Sequence, residues 1–326
     1  MLPETPAPMK PRISRHPHGI AAVDTEYVYP GHAAAHLIQQ NGRAAFVDVG
    51  TNYSVPYLLA ALDVLGIGRT DVDYVFLTHV HLDHAGGAGL LMRALPGAVA
   101  VLHPRGAPHM IDPEKLIAGS KVVYGEERFT QLYGQLVPIP ADRVKVVQDG
   151  DRYDLGGRSL QLIHTPGHAL HHYAIVDQAH ASIFPGDTFG LSYRALDTSQ
   201  GAFIIPTTTP TQFDPEQLIA SIDRMLSFVP ESMYLMHYSR VRDVPRLAQS
   251  LKSQIREFVA ITERQHAAGD RYGAVRADML GLWLRLARQH GCEQTDAELE
   301  QLFAGDLDLN TQGLLVWHER RRKDGG

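Results

Sequence analysis

The chain lacks the features that cross-link or anchor many proteins. Cys292 is the single cysteine among 326 residues, so no intrachain disulfide can form. No apolar run is long enough to span a bilayer. The first 15 residues contain four prolines and no apolar core of the kind that a secretory signal needs. We therefore expect a cytoplasmic protein that makes no use of a membrane.

An excess of charge of either sign is also missing. The 30 basic and 36 acidic residues give a net charge of −6, which argues against general affinity for nucleic-acid phosphates or anionic lipid. A basic cluster at residues 320–323 lies near the C-terminal end, where we expect a solvated tail. The expected partner is a small-molecule substrate rather than a nucleic acid.

Apolar periodicity predicts an α/β protein with helices at its end. Residues 43–49 and 73–77 have the pattern of buried strands. Between them Leu58, Leu62 and Leu65 form a helical stripe that Gly66 ends, and Ser54 can cap this helix. Alternation of strands and helices predicts a sheet with a parallel segment. We divide the chain into four parts: a flexible arm (1–18), a main domain (19–240), an insert within it that is a candidate lid (104–140), and a C-terminal helical extension (241–326).

The most informative segment of the sequence is the run from His79 to His84. It reads His-Val-His-Leu-Asp-His, follows an apolar strand and precedes a glycine-rich stretch. Imidazole and carboxylate groups are the ligands that zinc and related divalent metals take in proteins. His79 and His81 can point to one ion, and Asp83 and His84 can point to a second after the chain bends. The segment therefore predicts a metal site.

Three further candidate ligands follow apolar strands elsewhere in the chain. His168 closes the sequence Thr-Pro-Gly-His, Asp187 closes Pro-Gly-Asp, and His237 follows Tyr-Leu-Met. Functional groups in layered α/β folds gather at strand ends, so we expect these side chains to meet the first group.

These motifs together resemble the metallo-β-lactamase superfamily, over about residues 19–240. The resemblance implies an αββα sandwich with a dinuclear metal site. It implies that His79, His81 and His168 hold the first ion, that Asp83, His84 and His237 hold the second, and that Asp187 bridges both. Asp48, which follows a strand, matches the superfamily's early aspartate and is expected to orient a ligand histidine from behind.

A dinuclear site of this kind implies hydrolysis without a serine or cysteine nucleophile. Two divalent ions that share a water lower its pKa, hold a bridging hydroxide and polarise the oxygen of a carbonyl or phosphoryl group. Asp83 can accept or transfer a proton. Zinc is the expected metal, with iron and manganese as alternatives.

The motifs leave the substrate open. An ester, thioester or lactone carbonyl is the leading prediction. The alternatives are a mononuclear iron oxygenase of the persulfide dioxygenase type, a phosphodiesterase, and a binding or regulatory protein that retains the metal site with little turnover. One iron per chain together with oxygen uptake would indicate the oxygenase.

Side chains outside the ligand set give hypotheses about the pocket. Aromatic residues of the insert, a loop phenylalanine and a histidine near His168 are predicted to line it. These residues are Tyr124, Phe129, Tyr133, Phe203 and His171. Tyr193, six residues past Asp187, is predicted to donate a hydrogen bond to a metal-bound oxygen. The C-terminal helices are expected to pack on the main domain, to cover the pocket or to form a homodimer.

Overall fold

The computed structural model describes residues 10–208 and 211–324. The chain divides into two compact units. The first extends to Val147 and also contains Tyr153–Leu160, and the second contains Gln148–Arg152 and the residues from Gln161 onward. Each unit combines strands with helices.

A seven-stranded sheet forms the centre of the first unit, and its strands follow one another in chain order. These strands are β1 (Ile13–His16), β2 (Ile20–Asp24), β3 (Ala34–Gln40), β4 (Arg43–Val47), β5 (Val72–Phe76), β6 (Val99–Leu102) and β7 (Val144–Val146). The first four strands pair antiparallel, and β4 to β7 pair parallel. Parallel neighbours need a crossover connection, and helices supply it.

Six α-helices lie in the described part of the first unit. They are α1 (Val55–Leu65), α2 (Leu82–Ala85), α3 (Ala88–Ala94), α4 (Ala107–Ile111), α5 (Glu114–Tyr124) and α6 (Glu126–Tyr133). Leu58 and Leu62 of α1 pack in one core with Phe46 and Val75 of the sheet. Gly66 ends α1 with a left-handed backbone (φ 71°), as its position after the apolar stripe predicts.

Ser54 does not cap α1 as we predicted. Its side chain makes no capping hydrogen bond; instead its hydroxyl donates to the Thr25 carbonyl at 2.8 Å. The hydroxyl also accepts from the Thr51 N–H at 3.1 Å. A tertiary contact has replaced the local one, so Ser54 ties the start of the helix to the loop after β2.

The N-terminal arm is shorter than we predicted. Within residues 1–18, which we expected to be flexible, Ile13–His16 form β1 and pair with β2. His18 and Gly19, both at positive φ (62° and 66°), make the tight turn between the two strands. The prolines before this hairpin led us to predict a flexible arm instead of a strand. Residues 1–9 lie outside the described part of the chain.

The second sheet has six strands in the order β13-β12-β11-β10-β9-β8. They are β8 (Arg152–Leu155), β9 (Arg158–His164), β10 (Tyr173–Asp177), β11 (Ser182–Phe184), β12 (Ser232–Leu235) and β13 (Ser239–Val241). β11 and β12 pair parallel, and the helix between them in sequence makes the crossover.

Within the described residues, four α-helices belong to the second unit. They are α7 (Pro215–Leu226), α8 (Val244–Arg264), α9 (Arg271–Gln289) and α10 (Asp296–Asp324). Asp214 caps α7 by accepting from the Gln217 N–H at 2.9 Å. The last three helices share one core with the strands of this unit, in which Phe258, Trp283 and Phe303 are fully buried. None of the helices in the described ranges is both long and apolar enough to cross a bilayer.

Candidate metal centre

The first group of candidate ligands lies on the loop after β5. Leu77 and Thr78, both fully buried, lead from the strand to His79. His81 has extended backbone angles and is the N-cap residue of α2, and its carbonyl accepts from the His84 N–H at 3.0 Å. Asp83 and His84 therefore belong to a helical turn, whereas His79 and His81 lie before the turn begins.

The bend at His81 brings the four side chains of this loop together. The His79 Nε2 atom lies 2.9 Å from Nδ1 of His81, and the His84 Nε2 atom lies 3.7 Å from a carboxylate oxygen of Asp83. Ligand atoms of His79 and His84 come within 4.8 Å of each other. The loop thus presents two adjacent donor pairs, as the spacing of the motif predicts.

Asp48 and Thr78 hold the imidazoles of this loop from behind. An Asp48 carboxylate oxygen lies 2.8 Å from His84 Nδ1, and the carboxylate accepts from the Thr78 N–H at 2.9 Å. The Thr78 hydroxyl lies 3.1 Å from His79 Nδ1. Contacts at Nδ1 fix the ring orientation and direct Nε2 of each histidine toward the ligand side. The structure thus places Asp48 behind a ligand histidine, where we expected it.

The glycines after the motif allow close packing of the backbone. A Cβ atom on Gly87 would lie 2.4 Å from the Thr51 carbonyl oxygen and 2.9 Å from Val55. The Gly87 N–H donates to the Gly50 carbonyl at 2.9 Å. Only glycine fits here, and its contact ties the end of α2 to the loop before α1.

The second unit contributes three candidate ligands, each just after a strand. His168 follows β9, Asp187 follows β11 and His237 follows β12. One Asp187 oxygen lies 3.5 Å from His168 Nε2, and the other lies 3.9 Å from His237 Nε2. All three side chains are at least nine-tenths buried. Asp187 therefore stands between the two histidines, with one oxygen toward each.

The loop that carries His168 is fixed from two sides. The hydroxyl of Thr207 lies 2.8 Å from His168 Nδ1 and also donates to the Asp187 carbonyl at 3.3 Å. Gly167 has φ 123°, and a Cβ atom there would lie 2.2 Å from the Leu218 backbone nitrogen. The Thr-Pro-Gly-His sequence therefore lets the loop pack against the start of α7.

His172, which lies directly before β10, positions Asp187. Its Nε2 atom accepts from the Asp187 N–H at 3.2 Å, and its Nδ1 atom lies 2.8 Å from the Thr165 hydroxyl. Since Nε2 accepts, Nδ1 carries the proton and donates. The sequence did not reveal this contact between His172, which is fully buried, and a candidate ligand.

The donor chemistry of each group fits a divalent metal ion. Imidazole nitrogens and carboxylate oxygens converge in both units, and hydroxyl or carboxylate groups contact Nδ1 of His79, His84 and His168. The family model of the metallo-β-lactamase superfamily matches residues 28–237.

The chain belongs to the metallo-β-lactamase superfamily.

Individual relatives agree with this membership. The chain is 29% identical over 226 residues to a metallo-β-lactamase fold-containing protein of Sulfurisphaera tokodaii, which covers 68% of this chain and 77% of that protein. It is 27% identical over 241 residues to a hydroxyacylglutathione hydrolase of Aeromonas hydrophila, which covers 73% of this chain and 70% of that enzyme.

A solved structure supports the fold over almost the whole chain. A metallo-β-lactamase family protein of Thermus thermophilus matches with a TM-score of 0.66 at 19% identity, over 93% of this chain and 94% of that one. The predicted metallo-β-lactamase fold class, α/β with two sheets flanked by helices and with C-terminal helices, is confirmed.

Two further predicted site residues contact the C-terminal helices. The Tyr193 hydroxyl donates to a carboxylate oxygen of Asp306 on α10, and its hydrogen bond to a metal-bound oxygen stays a prediction. Phe203 is only 5% exposed and packs against Phe303 and His290, and its place in the lining of a pocket stays a prediction. In both cases the partner comes from the C-terminal helices, whose contacts the sequence did not reveal.

The insert packs against the metal-binding motif of the first unit. Phe129 and Tyr133 are at most 3% exposed and share a cluster with Leu82, which stands inside the motif; Tyr124 joins this cluster from its edge. The Tyr133 and Tyr27 hydroxyls lie 3.1 Å apart. Burial raises the pKa of both phenols far above the usual value, and the nearby Asp83 adds to this rise, so both stay protonated.

The predicted pocket residue His171 is largely enclosed by protein. It is 8% exposed, whereas its neighbour His172 is fully buried. The place of His171 in the lining of a pocket stays a prediction.

Proposed function

We propose that this chain is a metal-dependent hydrolase with a dinuclear metal centre. The proposal rests foremost on the position of Asp187, whose two oxygens face the two histidines of the second unit. A carboxylate with one oxygen toward each of two histidines is suited to bridge two ions. Family membership supports the proposal, since residues 28–237 include every candidate ligand.

The pairs within each unit suggest how seven ligands divide between two ions. His79 and His81 form one pair in the first unit, and Asp83 and His84 form the other. We assign His168 to the first pair and His237 to the second, with Asp187 shared.

Zinc is the metal we propose, with iron and manganese as alternatives, because nitrogen and oxygen ligands suit all three. Divalent ions in such a site lower the pKa of a water and stabilise negative charge that develops on a substrate oxygen. The rest of the catalytic work falls to the chain's own side chains, which hold the ligands and move protons.

Asp83 is the best candidate to carry a proton. Its side chain is 21% exposed, whereas that of Asp187 is 8% exposed. A carboxylate with access to solvent can exchange protons with water, and an enclosed one is better suited to hold an ion. Asp48 and Thr207 remain behind the imidazoles of His84 and His168 and keep their orientation.

For the substrate we propose a small molecule with an ester, thioester or lactone carbonyl. Similarity to the hydroxyacylglutathione hydrolase of Aeromonas hydrophila favours the thioester within this class, because an acylated glutathione is a thioester. The phenol groups of Tyr27 and Tyr133, which stay protonated, offer hydrogen-bond donors in the neighbourhood of Asp83. A cytoplasmic location and the absence of a nucleic-acid partner stay predictions.

A substrate panel tests this proposal. Zinc-loaded protein is assayed against thioesters, esters, lactones and phosphodiesters, and His81→Ala serves as the variant without a complete site. We expect turnover of at least one carbonyl substrate that falls by about 100-fold or more in the variant, since losing a ligand disrupts the centre. Cleavage of phosphodiesters alone would replace the substrate assignment, and equal rates in both proteins would refute the hydrolase.

A further inference from the structure

We propose that helix α10 of the C-terminal extension positions metal ligands of the second unit. Asn310 and Asp306 lie one helical turn apart on α10, and each contacts a loop that in turn contacts His168 or His237. This inference rests on the proposed metal centre. It gives the extension a role in metal affinity in addition to its role in packing.

Asn310 holds the loop that carries Thr207. Its side-chain oxygen accepts from both the backbone N–H and the hydroxyl of Thr208, the latter at 2.7 Å, and its backbone carbonyl accepts from the same hydroxyl at 3.0 Å. Its amide nitrogen donates to the Asp306 carbonyl at 2.7 Å. Both Asn310 and Thr208 are at most 1% exposed, so water cannot replace these contacts.

The next residue in this loop reaches the ligands. The Thr207 hydroxyl lies 2.8 Å from His168 Nδ1 and contacts the Asp187 carbonyl. Because Thr207 and Thr208 share a peptide bond, the hydrogen bonds between Thr208 and Asn310 determine where the Thr207 hydroxyl lies. Two hydrogen-bonding contacts joined by one peptide bond thus connect α10 to the ring of His168.

Asp306 reaches the other histidine through a second loop. Its carboxylate accepts from the Tyr193 hydroxyl, and the neighbouring Ser192 N–H donates to the backbone carbonyl of His237. The ring of Tyr193 packs against Phe303 of the same helix at 5.4 Å. One face of α10 therefore contacts the loops behind both histidines that flank Asp187.

Contacts elsewhere on α10 keep the helix itself in place. Arg276 and Tyr272 of α9 donate to Asp308 at 2.7 and 3.1 Å. Arg320 donates to the Thr211 and Phe213 carbonyls at 2.8 and 2.7 Å, so it is not part of a solvated tail as we predicted. These contacts stabilise α10 without contacting either histidine, which makes Asp308 a suitable control.

The test measures the affinity for Zn²⁺ alone by competition with a chelator, at a temperature where every variant is folded. We expect Asn310→Ala to bind about 10-fold more weakly, at the lower end of the effects seen for residues behind a ligand. Asp308→Asn, on the same helix, should stay within about twofold of the original protein while losing comparable thermal stability. Thr207→Val combined with Asn310→Ala should weaken binding less than the product of the two single effects, because both act on one path.

Tyr193→Phe provides a second test that does not depend on a buried amide. It removes one hydroxyl, keeps the ring in the core and should also weaken zinc binding, by a few-fold. Zinc affinities of Asn310→Ala and Tyr193→Phe equal to that of Asp308→Asn would overturn the role of α10. Failure of the proposed centre would look different, since the original protein would then bind no zinc or His79→Ala would bind it equally well.

Discussion

A carboxylate oxygen of Asp48 lies 2.8 Å from Nδ1 of His84, and both side chains are at most 3% exposed. Asp48 follows β4 and has φ 54°, a left-handed backbone that turns its side chain toward the loop after β5. Its carboxylate also accepts from the Thr78 N–H at 2.9 Å. A single residue therefore fixes both the start and the end of the His-Val-His-Leu-Asp-His motif.

Replacing that carboxylate tests its orienting role. Asp48→Asn replaces the carboxylate beside His84 Nδ1 with a neutral amide. We expect the zinc affinity to fall by about 10- to 100-fold. Loss of charge-assisted hydrogen bonds should also lower the free energy of unfolding by about 1–3 kcal/mol. Chelator competition and urea unfolding measure the two effects.

Asp24→Asn is the matched control for this variant. Asp24 is equally buried, lies at the end of β2 and accepts from the Glu26 and Gly31 N–H groups at 2.9 and 2.6 Å. It should lose stability and keep its zinc affinity. Equal affinities for the Asp24 and Asp48 variants would contradict the orienting role.

Gly167→Ala should disturb the loop that carries His168. The added Cβ would lie 2.2 Å from the Leu218 nitrogen, and φ 123° is unfavourable for alanine. The backbone conformation alone should cost about 1–3 kcal/mol of unfolding free energy. Zinc affinity should fall as well, because His168 is the next residue.

Gly305→Ala on α10 should have the opposite effect on stability. Nothing lies within 4 Å of a Cβ atom there, and alanine should stabilise the helix by about 1 kcal/mol relative to glycine. Urea unfolding of Gly167→Ala and Gly305→Ala measures the free energy of unfolding of each variant. A Gly167→Ala protein as stable as the original would show that the loop does not need glycine.

The stability of the first unit should depend on pH through His36. Burial first, and then the charge of His16, lower the pKa of His36 to about 3. The unfolded chain takes up a proton near the ordinary value of 6.5, and the folded chain does not, so stability falls as the pH drops below 6.5. At pH 5 this loss amounts to about 2 kcal/mol.

Urea unfolding at pH 7.5 and pH 5 measures this dependence. His36→Gln removes the titrating group, so its loss of stability between the two pH values should be smaller than that of the original protein by about 2 kcal/mol. An identical loss in both proteins would exclude His36 as the source.

Packing of the insert is testable at Phe129, which is 3% exposed and clusters with Leu82. Phe129→Ala should lower the free energy of unfolding by about 3 kcal/mol, through lost burial and the cavity that remains. Val122→Ala, at a side chain 87% exposed in the same insert, should change it by less than about 0.5 kcal/mol. Similar small effects in both variants would indicate an insert that moves freely, as a lid would.

The sequence predicted the parts of this structure that local chemistry determines. Gly66 ends α1 as predicted, because a C-terminal glycine signal acts within one helical turn. The ligand motif predicted the donor pairs of the first unit, since their spacing alone brings the side chains together after the bend at His81.

Contacts between distant residues could not be predicted in this way. Thr207 and Asn310 are 103 positions apart, and no local sequence pattern connects them. Their alignment behind His168 depends on where α10 packs. For the same reason the contact between Tyr193 and Asp306 could not be predicted, because the two residues lie more than 100 positions apart.

Titration of metal-free protein with zinc, with thioester hydrolysis measured at each addition, tests the central claim most directly. We predict that activity rises with added zinc and reaches its plateau at two ions per chain. His81→Ala should remain at the uncatalysed rate throughout. Hydrolysis that is independent of metal, or one tightly bound iron per chain with oxygen uptake and no hydrolysis, would contradict a dinuclear hydrolase.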